Sequence, residues 1–198
     1  MSLTAYQLDA LTELINIGVG RAAGMLNQIL EAHVQLNVPS IQIFPYSHIE
    51  HALQTITANA LSIVSLGFKG SFSGTALLAF PSGSASQLVD VLTGEESEIE
   101  DDLDSIRVGV LTEVGNIVLN GVMGSLSNVL QEHFSYSIPV YIEDTIAHLV
   151  DENNLDAEST LILAKTELVI KKFHIKGNII LLFRVGLFNT LIDSLETF

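Results

Sequence analysis

The chain has 198 residues, 48% of them hydrophobic, which is enough for one sizeable core or for two small halves that share one. Its formal net charge of -15, with only 8 lysine and arginine residues, argues against DNA, RNA and anionic lipid as partners. The absence of cysteine excludes disulfides and thiolate metal sites.

The first half of the chain predicts a helix, three extended segments and a second helix. The opening helix is amphipathic, and Thr4 followed three residues later by Gln7 gives a capping-box pattern at its start. Pro39 indicates an edge strand or a strand entry, because proline cannot donate to a sheet ladder. In chain order the predicted elements are a helix over about 4–32, an extended segment over 34–44, strands over 60–70 and 71–81, and a helix over 84–94.

The second half predicts the same order after an acidic connector, residues 95–102. Its elements are a helix over about 103–133, an extended segment over 136–144 through Pro139, strands over 159–170 and 174–185, and a helix over 186–198. We therefore predict a single domain over 1–198 made of two repeats, about 1–94 and 103–198. The expected fold class is α+β, a tandem α-β-β-β-α duplication with pseudo-twofold symmetry, in which helices cover an antiparallel sheet.

The two halves also match residue by residue at an offset of 100 positions. An ungapped comparison of residues 10–39 with 110–139 gives ten identities in thirty positions. Shared helical periodicity could explain the matched leucines but not easily the matched Glu, Asn, His and Pro, so we infer a tandem duplication. Each of the following residues recurs 100 positions later: Leu11, Thr12, Glu13, Asn16, Ile17, Gly24, Leu26, Leu30, His33 and Pro39.

A polar stripe runs along each long helix. Positions three and four apart share a helix face, so Asp9, Glu13 and Asn16 line one edge of the first helix. For one helix alone, an exposed stripe without a function is the simpler interpretation. Its return as Glu113 and Asn116, again followed after twenty-two residues by a proline, favours a functional site.

The spacing of these residues resembles a known active-site signature. Asp9, three residues, Glu13, two residues, Asn16, twenty-two residues and Pro39 follow the pattern of the CheC/CheX/FliY family of response-regulator phosphatases, which begins with Asp or Ser. Length, duplication and element order resemble a CheC-like member, and the resemblance covers nearly the whole chain.

The second copy of the signature departs from the family at one position. It matches at Glu113, Asn116 and Pro139, whereas Gly109 stands where the family has Asp or Ser. The Glu and Asn that would contact a receiver are both kept. We therefore expect two sites, of which the second is the weaker.

The resemblance implies hydrolysis of the aspartyl phosphate of a CheY-type response regulator. Such a phosphate is intrinsically labile, so the enzyme mainly has to position a water in line with the phosphorus. The implied catalytic roles are water positioning by Asn16 and Asn116, and docking to the receiver lysine by Glu13 and Glu113. The alternative from another class is a non-enzymatic module of the same fold that binds a receiver or a flagellar-switch component.

Further residues are expected to support the sites. Gly18 and Gly20 would lower the helix profile beside the catalytic amide, with close helix–sheet packing as the competing explanation. Gly24 and Gly124 suit close packing better. Pro39 and Pro139 would set the strand beneath each long helix. The supporting residues are Asp9, Gly18, Gly20, Pro39 and Pro139.

Cofactors and partners follow from the resemblance. No cofactor of its own and no metal site are expected, because the receiver would carry the Mg²⁺. The partner would be a phosphorylated CheY-type receiver protein, with a CheD-like protein as a regulatory candidate, and neither nucleic acid nor membrane. No apolar run is judged long enough to cross a bilayer, and the N-terminal MSLTAYQLD lacks the basic region of a signal peptide, so a cytoplasmic location is expected.

Overall fold

The computed structural model describes residues 4–31, 33–49, 59–70, 73–94, 100–152, 159–170 and 173–183. A 3-10 turn at Tyr46–His48 follows the first strand. The helices and strands of this part of the chain are α1 (Ala5–Leu30), β1 (Val34–Pro45), β2 (Leu61–Lys69), β3 (Ser73–Pro81), α2 (Ser82–Thr93), α3 (Glu100–Leu130), β4 (Ser135–Tyr136), β5 (Val140–Asp144), α4 (Ile146–Glu152), β6 (Thr160–Ile170) and β7 (Phe173–Phe183).

The strands form one antiparallel sheet in the order β1-β6-β7-β3-β2-β4, with β5 also paired to β2. The two halves of the chain exchange strands, because β1 pairs with β6 and β5 pairs with β2. The strand that contains Pro39 and the strands that flank Pro139 therefore lie at opposite edges, where a missing N–H interrupts no central ladder. The predicted α+β class, with helices covering an antiparallel sheet, is confirmed.

Side chains alternate between two cores, one on each face of the sheet. Along β6, Ile162 and Ala164 face the core that contains α1, α2 and α3. Leu161 and Leu163 face the opposite core, which also contains Ile49 and residues of α4. This alternation is the period of a pleated strand, and burial of both faces explains the continuous apolar run over residues 161–164.

The two long helices meet in direct backbone contact. A Cβ on Gly18 would lie 2.6 Å from Cα of Val122, and a Cβ on Gly121 would lie 2.7 Å from the carbonyl oxygen of Gly18. No side chain fits at these distances, so glycine allows α1 and α3 to approach. From this crossing α1 packs along β1, whereas α3 packs on β2 and β3.

The first long helix begins with a side-chain cap, and both long helices are followed by a left-handed residue. Oγ1 of Thr4 accepts from the N–H of Gln7 at 3.2 Å, and Oε1 of Gln7 accepts from the N–H of Thr4 at 2.9 Å, so the predicted capping box is confirmed. At the other ends, Glu31 and Gln131 adopt the left-handed conformation, with φ of 46° and 52°. A left-handed residue is a common helix stop, and here it recurs at equivalent positions.

The boundaries in the second half differ from those predicted. α3 begins at Glu100, so the end of the predicted connector 95–102 is helical. Acidic residues suit a helix start because they complement its dipole. The extended segment predicted over 136–144 is two short strands separated around Pro139. The helix predicted over 186–198 lies outside the described residues.

One stretch of α3 is long and apolar enough to cross a membrane by length and composition alone. It covers Ser105–Leu130, and its most apolar part has a mean hydropathy of 1.3, so the expectation that no apolar run is long enough was wrong. Half of its most apolar part is buried inside the protein. A core helix gains this composition because it packs on more than one side, here against α1 and the sheet.

Candidate active site on the two long helices

The first polar stripe lies on the outer side of α1. Asp9 and Glu13 are exposed and Asn16 is half-buried. On the opposite side of the helix, Leu11 and Leu14 are buried in the core. The apolar side fixes the helix on the sheet, so the three residues predicted from the sequence share one accessible surface.

Asn16 is held by the strand beneath it. Its Oδ1 accepts a hydrogen bond from the backbone N–H of Val38 at 3.3 Å. Its Nδ2 has no hydrogen-bond partner among the residues that the structure describes. One end of the amide is therefore anchored, while the NH2 group and the second lone pair of Oδ1 can bind another group.

Pro39 explains why this N–H is available. The register between β1 and β6 shifts here, so that Val38 and Pro39 together lie opposite the single residue Thr166. Such a β-bulge disrupts the ladder locally, and Pro39 has no N–H to donate. The spacing between Asn16 and Pro39 thus places the backbone N–H of Val38, which is left out of the ladder, under Asn16.

The second polar stripe lies on α3. Glu113 is exposed and Asn116 is half-buried, as in the first stripe. Gly109 is exposed, and a Cβ added there would meet no atom within 4 Å. The first position of this stripe lacks a carboxylate although the fold has room for one.

Asn116 is anchored differently from Asn16. Nδ2 of Asn120 donates to Oδ1 of Asn116 at 2.6 Å and to the backbone oxygen of Asn116 at 2.8 Å. Ile138, the counterpart of Val38, is 84% exposed, whereas Val38 is 5% exposed. In the described part of the chain, no strand N–H reaches Asn116. Asn120 was not singled out from the sequence.

The glycines near the first site differ from their predicted roles. Gly18 is buried against α3, which contradicts the predicted lowering of the helix profile beside Asn16 and favours the competing explanation of close packing, although against a helix and not the sheet. Gly20 is exposed with open space around it, which is compatible with that role. Gly24 and Gly124 also have no atom within 4 Å of an added Cβ, so the close packing predicted for them is wrong.

A polar network, also missed from the sequence, ties the start of α3 to β2 and β5. Nη2 of Arg107 donates to Oγ of Ser62 at 3.2 Å and lies 3.7 Å from Oε1 of Glu143. The hydroxyl of Tyr141 donates to the same Glu143 oxygen at 2.6 Å. Partial burial, followed by this bond, raises the pKa of Tyr141. Because Arg107 lies two residues before Gly109, the network fixes the helix that carries the second stripe.

A second cluster caps α4 on the opposite face of the sheet. Oδ1 of Asp144 accepts from the N–H of Thr145 at 2.7 Å, and Oγ1 of Thr145 accepts from the N–H of His148 at 3.3 Å. Nδ1 of His148 lies 2.6 Å from Oδ2 of Asp144. The bond with His148, and then that from Thr145, lowers the pKa of Asp144.

The chemistry that the two stripes offer is that of carboxylates and amides. In the described ranges, no three or more histidines and acids are placed to hold a metal ion. Each stripe presents an exposed glutamate that can pair with a cation, and the first stripe adds the exposed Asp9. Each also presents one amide that can accept and donate hydrogen bonds.

Comparison with known proteins identifies relatives of both halves. Residues 62–162, 101 of the 198 residues, match the family model described as chemotaxis phosphatase CheX. The chain is 25% identical over 138 residues to the flagellar motor switch phosphatase FliY of Bacillus subtilis, and 24% identical over 152 residues to the CheY-P phosphatase CheC of the same organism. These matches cover 69% and 76% of this chain, but only 35% of FliY and 72% of CheC.

Solved structures share the fold. FliY of Thermotoga maritima has a TM-score of 0.75 at 19% identity, over 100% of this chain and 99% of that one. The FliM middle domain of H. pylori has a TM-score of 0.64 at 14% identity, over 97% and 99%. A CheX-CheY-BeF3-Mg²⁺ complex from Borrelia burgdorferi has a TM-score of 0.53 at 17% identity, over 87% and 99%. The family match spans half of the sequence, and the chain therefore belongs to the CheC/CheX/FliY family of chemotaxis phosphatases.

Proposed function

We propose that this protein hydrolyses the aspartyl phosphate of a CheY-type response regulator. The observation that carries the proposal is the first stripe, where exposed Glu13 accompanies Asn16, whose amide oxygen is held by Val38. An amide anchored at its oxygen is already oriented before a partner binds. Membership of the CheC/CheX/FliY family supports the same reaction.

In the proposed reaction a water attacks the phosphorus in line with its bond to the aspartate. A new P–O bond forms to the water oxygen, the bond to the carboxyl oxygen breaks, and its electron pair stays on the aspartate carboxylate. The protons of the water pass to the inorganic phosphate and to solvent. Asn16 would hold this water, with Oδ1 accepting a hydrogen bond from the water and Nδ2 donating one to a phosphoryl oxygen. Positioning of this kind can lower a barrier by up to about 7–11 kcal/mol in ideal cases.

Glu13 would fix the docking register by pairing with the lysine of the receiver. An exposed carboxylate can form such a charge-assisted bond without first losing an internal partner. The net charge of -15 would also favour encounter with a cationic surface. The receiver would supply the Mg²⁺, so the proposal needs no cofactor held by this chain.

Glu113 and Asn116 would form a second site of the same kind on α3. The exposed carboxylate and the anchored amide recur there, although Gly109 provides no acid at the near end. We propose the cytoplasm as the location, because response regulators act there. A CheD-like regulator stays a proposal that follows from the family alone.

A binding module without catalysis is the second candidate. The likeness to FliM favours it, since one FliM of this fold was solved as a FliG-FliM complex. Such a module would use the same outer face of α1 or α3 to hold a partner. It would leave the lifetime of a phosphorylated receiver unchanged.

The decay of a phosphorylated CheY-type receiver separates the two candidates. Intact protein should speed the decay by at least about tenfold, about 1.4 kcal/mol, which is a small part of what positioning can supply in ideal cases. Asn16→Ala combined with Asn116→Ala should remove this effect, whereas Asn128→Ala, exposed on α3, should keep it. Binding without faster decay would favour the module.

A further inference from the structure

The two catalytic asparagines use different donors to hold the same atom. In the first stripe the backbone N–H of Val38 donates to Oδ1 of Asn16 at 3.3 Å. In the second stripe the side chain of Asn120 donates to Oδ1 of Asn116 at 2.6 Å. In both, the NH2 group of the catalytic amide has no partner among the described residues.

Each half lacks the hydrogen-bond donor that the other half uses. The counterpart of Asn120 is Gly20, which has no side chain and is exposed with open space around it. The first half needs no such side chain, because Val38 is buried beneath the helix and supplies an N–H. In the second half Ile138 is 84% exposed, and the donor comes from the helix itself.

We propose that Asn120 is a positioning residue of the second site, an inference that rests on the proposed function. Its NH2 group makes two hydrogen bonds, and the second, at 2.8 Å, reaches the backbone oxygen of Asn116. That oxygen is fixed by the helix, so it orients the amide of Asn120. The other N–H then holds Oδ1 of Asn116, which presents its NH2 group and its remaining lone pair to the receiver.

The test uses protein in which Asn16→Ala silences the first site, and this protein is the parent of the variants that follow. Asn120→Leu keeps the branched shape but removes the amide, and Asn120→Gln keeps an NH2 donor. Asn128→Leu, exposed on the same helix, is the matched control. The measurements are kcat and KM for decay of a phosphorylated CheY-type receiver, with urea unfolding of each variant.

Asn120→Leu should lower kcat about tenfold and leave KM unchanged, because a positioned group acts on the chemical step and not on docking. Asn120→Gln should recover most of this loss. Asn128→Leu should match the parent in both constants. A purely structural role would instead move the unfolding midpoint together with both constants.

Three results would overturn the inference. The first is a kcat in Asn120→Leu that is equal to that of the parent or higher. A higher kcat would mean that Asn120 blocks the site. The second is an equal loss in Asn120→Gln or Asn128→Leu. The third is a parent with no activity, since no working second site then exists. If the wild-type protein is active in that case, the proposed function stands at the first site; if it is also inactive, both proposals fail.

Discussion

The backbone N–H of Val38 donates to Oδ1 of Asn16 at 3.3 Å, across 22 positions of sequence. The strand can make this bond because Pro39 and Val38 form a β-bulge opposite Thr166 in β6. The amide is thus oriented by the fold before any partner arrives, which reduces the reorganisation needed during a reaction. The asparagine–proline spacing of the family signature has a structural reason at this site.

Replacing Asn16 by Asp in the Asn116→Ala background should remove activity without unfolding the protein. Asp keeps an oxygen for the N–H of Val38, so the free energy of unfolding should change by less than about 1 kcal/mol. It lacks the NH2 donor and brings a negative charge to the phosphate, so the phosphatase rate should fall on the order of a hundredfold. Receiver decay and urea unfolding measure the two quantities. Full activity would show that the reaction does not use the NH2 group.

Asn16→Ala should reduce total activity more than Asn116→Ala. The first stripe has exposed Asp9 at its near end, whereas Gly109 gives the second stripe no carboxylate. Each single variant, assayed with the same phosphorylated receiver, reports on the site that remains intact. Equal losses would contradict the importance of the missing acid.

The sequence was sufficient to predict the stripes and the antiparallel sheet, because helix faces, strand periodicity and proline at an edge are local properties. It was not sufficient to predict how each amide is held. Val38 and Ile138 differ by one methylene, yet their exposed fractions are 5% and 84%. Exposure depends on which strand each helix covers, and α1 covers β1 whereas α3 covers β2 and β3. The sequence shows Gly20 in the first half and Asn120 at the equivalent position of the second. Only the hydrogen bonds show that Asn120 holds Asn116.

The surroundings of Gly18 and Gly24 were also not predicted from the sequence, and these two glycines provide a matched pair of variants. Gly18→Ala should lower the free energy of unfolding by about 1–3 kcal/mol, because its Cβ would meet Cα of Val122 at 2.6 Å. Gly24→Ala, with open space around an added Cβ, should raise it by about 0.5–1 kcal/mol through helix propensity. Urea unfolding of both variants measures the difference. Changes of the same sign would argue against the backbone contact between α1 and α3.

Acid should weaken the cap of α4 through Asp144. Its pKa is lowered from the ordinary 3.8 by hydrogen bonds with His148 and Thr145, so the unfolded chain binds the proton more tightly than the folded protein. The linked stability is complete above the unfolded value and is lost as pH falls through the lower folded value. Asp144→Asn should therefore be less stable than wild type at about pH 6, with the difference shrinking as pH falls below the ordinary 3.8. Urea unfolding on both sides of this value checks this; a difference independent of pH would contradict it.

Restoring the missing acid should strengthen the second site. In the Asn16→Ala background, Gly109→Asp places a carboxylate one helical turn before Glu113, where an added Cβ meets no atom within 4 Å. We expect the decay rate of phosphorylated receiver to rise by about threefold to tenfold, the scale of one net hydrogen bond of about 0.5–1.5 kcal/mol. Gly109→Ala is the control, because it gains the helix propensity, about 1 kcal/mol, without the carboxylate. If both variants raise the rate equally, the gain comes from a firmer helix, and a carboxylate at this position does not contribute to the second site.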